Sequence, residues 1–190
     1  MRVIAGSHRG RRLSGPDGTS LRPTSDKVRQ AIFSILGTQI VGSRFLDLYA
    51  GTGAVGIEAL SRGASAVTFV ESNPKAVQLL WKNLGTCQLL DRAQVHVKQT
   101  AVFLNQKDCW GTPYDILFAD PPYAALEELE VMIHSSRTGL LSEHATMIIE
   151  QDFRAELPTS IGHASLVRRY VYGDTALFLY GVSTTQSTVS

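Results

Sequence analysis

Apolar residues along the chain alternate between two rhythms, and the alternation predicts the architecture. Short buried runs at Phe45 to Tyr49, Ala66 to Val70, Val95 to Lys98, Tyr114 to Ala119 and Thr146 to Glu150 read as strands. Between them the spacing becomes helical. Val28, Ala31, Ile32, Ile35 and Leu36 follow Pro23-Thr24-Ser25 at one-face spacing, and Gly37 supplies a stop. A second helix is expected from the glycines after Tyr49 to Gly63, and a third from Asn73-Pro74 to about Gly85, with Asn73 as cap and Pro74 in the first turn. A weak helical stretch precedes Tyr114, and Leu126 to Arg137 reads as helix after the break at Pro121-Pro122. Strands and helices in turn imply βαβ units, a mostly parallel sheet with helices on both faces. The ending differs: Leu166 to Tyr172 and Ala176 to Val182, separated by Gly173-Asp174-Thr175, pair as an antiparallel hairpin on the sheet edge. Residues 2–15, broken by Gly6, Gly10 and Gly15, form a short hairpin or arm, and 183–190 a frayed tail.

The 190 residues fit one domain, with 44% hydrophobic residues to build its core. Residues 1–37 are expected to be a basic extension of a domain spanning 38–182. Cys87 and Cys109 make neither a disulfide framework nor a zinc site. The five histidines lack metal-ligand spacing, so no metal is expected. The N-terminus turns polar at once and nowhere do 18 apolar residues run together, which predicts a soluble, cytoplasmic protein without membrane contact. The net charge of +1 conceals an asymmetry, because residues 1–30 carry seven cations and two anions while the remainder carries 11 and 15. A basic arm on an acidic body suits a polyanionic partner held at one end; a mobile, solvated arm is the alternative.

Gly51-Thr52-Gly53-Ala54-Val55-Gly56 follows a strand, opens a helix, and has an acid, Glu71, 20 residues beyond its first glycine. Such a loop brings backbone close to a nucleotide-type ligand while the acid takes ribose hydroxyls. A nicotinamide dinucleotide and S-adenosylmethionine both satisfy it. Asp47, four residues before Gly51, suits a cationic ligand and opposes a pyrophosphate; capping the loop's own amides is its other reading. The strand ending at Ala119 delivers Asp120-Pro121-Pro122-Tyr123. Two prolines remove two donors and leave a carboxylate and carbonyls as acceptors beside an aromatic ring. That corner suits an exocyclic amine, whose hydrogens Asp120 and the Pro121 carbonyl accept while Tyr123 stacks on the base.

Tyr49-Ala50-Gly51-Thr52-Gly53, Glu71 and Asp120 to Tyr123 resemble the class I S-adenosylmethionine-dependent methyltransferases that modify amino nitrogens. Arg2 to Gly6, Arg9 to Leu13, Leu21 to Arg29, Leu46 to Gly51 and the late Tyr172-Gly173-Asp174-Thr175 narrow the likeness to the RsmD family, bacterial methyltransferases of a guanine N2 in small-subunit ribosomal RNA, over roughly residues 1–182. The resemblance implies a Rossmann-like, doubly wound fold and S-adenosylmethionine as cofactor. The cofactor would lie against Asp47, Tyr49, Gly51, Thr52, Gly53, Glu71, Ser72, Thr100 and Ala101, and the target guanine against Asp120 to Tyr123. RNA would be held by Arg2, Arg9, Arg11, Arg12, Arg22, Thr24, Asp26 and Arg29, with the segment Arg22 to Arg29 folding over the site. Thr100-Ala101 stands where the family usually has Asp-Ala at the adenine amine, so altered adenine contacts are expected. The implied partner is small-subunit ribosomal RNA or the assembling subunit, met by a monomer. A DNA adenine methyltransferase shares both motifs, but 190 residues leave little room for its added recognition domain. A nicotinamide oxidoreductase accounts for the loop and leaves Asp120 to Tyr123 without a task. Trp81, mid-helix, is read as a packing residue.

Overall fold

A computed structural model describes residues 1–15, 24–122 and 139–182. The expected helix at Leu126 to Arg137, the tail at 183–190, Arg22 and Tyr123 lie outside the described residues. Helix α1 (Asp26–Leu36) starts at Ser25, whose hydroxyl accepts the Val28 N–H at 3.2 Å, and ends at Gly37 in a positive-φ conformation. Next come β1 (Arg44–Leu48), α2 (Ala54–Ser61), β2 (Ala66–Glu71), α3 (Pro74–Cys87), β3 (Ala93–Val97), α4 (Thr100–Asn105) and β4 (Tyr114–Ala119). The chain closes with β5 (Leu141–Asp152), β6 (Ser160–Ile161), β7 (Ala164–Tyr172) and β8 (Thr175–Val182). Asn73 caps α3 as its sequence predicts, accepting from the Lys75 and Ala76 amides. Among the described residues no helix is long and apolar enough to cross a membrane.

One sheet carries all eight described strands in the order β3-β2-β1-β4-β5-β8-β7-β6. The first five in that order are parallel, and β8, β7 and β6 are antiparallel additions. The expected hairpin is therefore present but one strand short of the rim: β8 is interior, β7 outside it, and the two-residue β6 closes the edge. Strand β5 begins at Leu141, ahead of the expected Thr146, because Leu141 pairs with Tyr114 before a register shift. Both faces of the sheet are covered, so the central strands read as nearly continuous apolar runs. Phe45, Ile57, Phe69, Leu80 and Phe118 form a core with α1, α2 and α3, while Leu46, Leu48, Phe103, Leu117 and Tyr180 form the other with α4. Trp81 departs from its expected packing role and is exposed, since Val77, Leu80 and Leu84 form the inward stripe of α3.

The arm is docked. Residues 1–15 fold back on themselves through Val3 N–H to Arg11 C=O (3.0 Å) and Leu13 N–H to Met1 C=O (3.0 Å), burying Val3 and Leu13. Glu58 of α2, itself buried, accepts the Ile4 and Ala5 amides at 2.7 and 2.9 Å. Asn83 of α3 exchanges hydrogen bonds with the Ser14 backbone at 2.7 and 3.0 Å and donates to the Thr52 carbonyl at 2.9 Å. A mobile solvated tail, one of the two expectations for this segment, does not describe it.

Candidate active site

The sheet reverses winding between β1 and β4, and a cleft of about 760 Å³ opens at the carboxyl ends of the strands there. The glycine loop forms its floor. Gly53 has φ 78° and its missing Cβ would lie 2.2 Å from Leu80 Cδ1, while a Cβ at Gly56 would meet Phe69 Cε1 at 2.3 Å. Glycine fits these two positions because the space a Cβ would need beneath the loop is filled by Leu80 of α3 and Phe69 of β2.

Asp47 is on the α2 side of β1, fully enclosed, and its Oδ2 accepts the Gly56 N–H at 2.9 Å. It therefore caps the first turn of α2, as one of its two readings has it, and it also lines the cleft. Burial pushes its carboxyl up to about 8; the Gly56 hydrogen bond opposes this and the charges of Asp120 and Glu71 add to it. Glu71 ends β2 and uses its two oxygens on backbone, accepting Gly51 N–H at 2.8 Å and Asn73 N–H at 2.7 Å. It ties the glycine loop to the next loop and keeps lone pairs for a hydroxyl. Asp120 directly follows β4, with its carboxyl raised by burial to about 6. Gln151 donates to the Pro121 carbonyl at 3.0 Å, fixing the corner.

The cleft gathers Asp47, Tyr49, Gly51, Thr52, Glu71, Ser72, Thr100, Asp120, Pro121 and Pro122, and Thr24 at its rim. Tyr49 has φ 60°, and its hydroxyl is buried without a hydrogen-bond partner among the described residues. Gly53 and Ala101 do not line the cleft; Gly53 is packed under it. Of the expected RNA residues, Arg2, Arg9, Arg11 and Arg12 are exposed, and Arg11 reaches the Thr86 carbonyl at 2.7 Å. Arg29 is a correction: fully buried, it donates to the Arg2 carbonyl at 2.6 Å and pairs with Asp26 at 3.0 Å and Glu58 at 3.8 Å, so it has no surface to offer RNA. Asp26 is held in the same network. Thr24 gives its hydroxyl to Glu150 at 3.0 Å.

Gln99, Glu150, Tyr172 and Thr175 also line the cleft and were not expected there. Glu150 carried the same signal as Glu71, an acid closing an apolar strand, and Tyr172 and Thr175 belong to the Tyr-Gly-Asp-Thr segment that bears part of the family likeness. The lining holds four carboxylates and, among the described residues, no Lys, Arg or His. That donor and acceptor set fits a ligand bearing positive charge and opposes a pyrophosphate.

Strand order, switch-point cleft and acceptor corner together define a Rossmann-like class I methyltransferase. The family model described as "Conserved hypothetical protein 95" matches residues 1–181. The chain is 40% identical over 182 residues to Ribosomal RNA small subunit methyltransferase D of Escherichia coli (strain K12), covering 95% of this chain and 89% of that one. It is 38% identical over 180 residues to YlbH of Bacillus subtilis (strain 168), covering 95% and 98%. The solved structure of yhhF from Escherichia coli superposes with a TM-score of 0.83 at 39% identity, covering 96% and 98% of the two chains. The chain belongs to the RsmD family.

Proposed function

We propose that the protein transfers a methyl group from S-adenosylmethionine to the exocyclic N2 amine of a guanine in small-subunit ribosomal RNA, in the cytoplasm and on RNA of the assembling subunit. One observation carries the reading: the acceptor corner of Asp120 and Pro121 closes the same cleft that is lined by the carboxyl groups of Asp47, Glu71 and Glu150 and, among the described residues, by no Lys, Arg or His. Asp47, Tyr49, the backbone of Gly51 and Thr52, Glu71, Ser72 and Thr100 hold the cofactor. When bound, it supplies an electrophilic methyl group on a sulfonium for in-line displacement by nitrogen. Asp120 and the Pro121 carbonyl accept the two amine hydrogens, which withdraws the nitrogen lone pair from the ring and aims it. Gln151 keeps the Pro121 carbonyl in place for this. Pro122 and Tyr123 support the base. Proton loss follows attack, so positioning and a nearby carboxylate suffice.

The test is incubation of the protein with labelled S-adenosylmethionine and small-subunit particles from cells lacking this gene, followed by nucleoside analysis. Labelled N2-methylguanosine is expected; label in N6-methyladenosine, or none, refutes the assignment.

Asp47→Asn separates stability from binding. The folded carboxyl titrates near 8 and the unfolded one near 3.8. The native state thus binds the proton more tightly, and the stability this group confers is complete below the unfolded value and lost as pH rises through about 8. A neutral amide that still accepts from Gly56 is expected to raise the melting temperature of the ligand-free protein at about pH 8 and to weaken S-adenosylhomocysteine binding by roughly tenfold or more. Melting curves with and without ligand read both effects.

The arm's exposed arginines should hold phosphate. Replacing Arg9, Arg11 and Arg12 by Ala is expected to weaken RNA binding and to flatten its salt dependence by about 0.7 to 0.9 units of slope for each phosphate no longer neutralised, leaving cofactor affinity intact. A filter-binding salt titration with unchanged slope would place RNA elsewhere.

A further inference from the structure

A second concavity, of about 460 Å³, lies between the docked N-terminal hairpin and the first turns of α1. Arg2, Arg9 and Gly10 form the hairpin wall, and Asp26, Lys27 and Gln30 the helix wall. Lys27 and Gln30 are exposed, and neither figures in the methyl-transfer site. The same helical turn serves both depressions, because Ser25 and Val28 line the cleft while Asp26 and Lys27 line the groove.

Buried Arg29 explains why the groove is preformed. Its Nη2 donates to the Arg2 carbonyl on one wall and to the Asp26 carboxylate on the other, and its Nε faces Glu58 at 3.8 Å. The two walls are pinned through one guanidinium that water does not reach. Asp26, the groove's one acid among the described residues, is already occupied by that guanidinium. Arg2, Arg9 and Lys27 form no ion pair with any described carboxylate. Three cations, a neutral amide donor and a compensated acid at a fixed concavity make an anion site.

We propose that this groove is a backbone subsite of the methyltransferase: it takes a phosphate of the RNA strand adjoining the target nucleotide, with Lys27 and Arg9 as its charge contacts, Gln30 as a hydrogen-bond donor, and Arg29 as the positioning residue that fixes the two walls to one another. The inference rests on the RNA reading above and adds where the strand runs, from the cleft across the first turn of α1 onto the hairpin. The site fixes the strand against the cleft without reading sequence, as phosphate contacts do.

The experiment measures methyl transfer and binding for wild type, Lys27→Ala and Lys27→Arg, with protein-free small-subunit ribosomal RNA and with assembled particles. Lys27→Ala is expected to raise KM for RNA about fivefold to tenfold with kcat and S-adenosylhomocysteine affinity unchanged, and to lower the salt slope of binding by close to one unit; Lys27→Arg is expected to restore both. An unchanged KM and slope in Lys27→Ala, with active wild type, overturns the subsite alone. A loss seen on assembled particles and absent on protein-free RNA also overturns it and assigns the groove to a ribosomal protein. Absence of transfer by wild type on either substrate overturns the functional reading, and the subsite with it.

Discussion

Asp120→Ala is expected to lose about 10²- to 10³-fold or more in kcat while S-adenosylhomocysteine binds as before. The loss is of the size seen when one preorganised polar contact to a reacting group is removed. Asp120 directly follows β4, at the corner held by the Gln151 to Pro121 bond, and lines the same cleft as the glycine loop. On the proposed mechanism, removing its carboxylate would leave one of the two target hydrogens without an acceptor and the nitrogen lone pair conjugated into the ring. The pH profile carries a second signature. Burial lifts this carboxyl to about 6, and only the ionised form is a pure acceptor, so kcat is expected to fall as pH drops through 6. Asp120→Asn should be slow and lack that limb. Single-turnover transfer at saturating cofactor measures both, and a fast Asp120→Ala enzyme would end the proposed role.

Glu58→Ala should be the most damaging change away from the cleft, at about 3–5 kcal/mol, because it strands a buried cation. Glu58, itself fully buried, accepts the Ile4 and Ala5 amides, receives Arg62 Nε at 2.7 Å and faces the equally buried Arg29. Without it Arg29 keeps Asp26, whose side chain is 61% exposed and screened by solvent. For a domain of this size the melting temperature should drop by about 6 to 20 °C. The Ile4 and Ala5 amides of the hairpin lose their carboxylate acceptors at once, so limited proteolysis should cut within residues 1–15 in the variant and spare them in wild type. Equal melting temperatures and equal digestion would show that the hairpin is held instead by Asn83 and by Ser61, whose hydroxyl accepts the His8 N–H at 2.9 Å and donates to the Ala5 carbonyl at 2.6 Å.

Much of the scaffold was legible because its strands are buried on both faces and its turns carry glycine, proline and asparagine at the switches. Tyr114 to Ala119 fell where its apolar run placed it, and Asn73 capped α3 as its position before Pro74 implied. That Gly51, Thr52, Asp47 and Asp120 to Pro122 would lie at one cleft was legible for the same reason, because each motif is local in sequence. Arg29 was not. It lies at i, with Ile32, Phe33 and Leu36 at i+3, i+4 and i+7, on the inward stripe of α1, but its charge argued for solvent and its partner Glu58 lies 29 positions away. Periodicity alone would have buried it correctly. The Gln151 contact to Pro121 and the anchoring of the hairpin by Asn83 join segments 30 and 69 residues apart, for which no local pattern exists.

The interior place of β8 has a bearing on how the protein is made. This strand, Thr175–Val182, is synthesised after β5, yet it pairs with β5 over seven positions from Thr146–Gly181 to Asp152–Thr175. A chain still on its own ribosome, or one truncated before Thr175, presents β5 as an open edge with the apolar Met147, Ile148 and Ile149 along it. Unpaired strands of that kind recruit other chains. Tyr172 and Thr175 reach the cleft wall through the turn that β8 anchors, so cleft and sheet are completed together. A chain interrupted before Thr175 is therefore expected to aggregate and to lack a complete cleft, so such a lesion should behave as a folding defect although Asp47, Glu71 and Asp120 are all present.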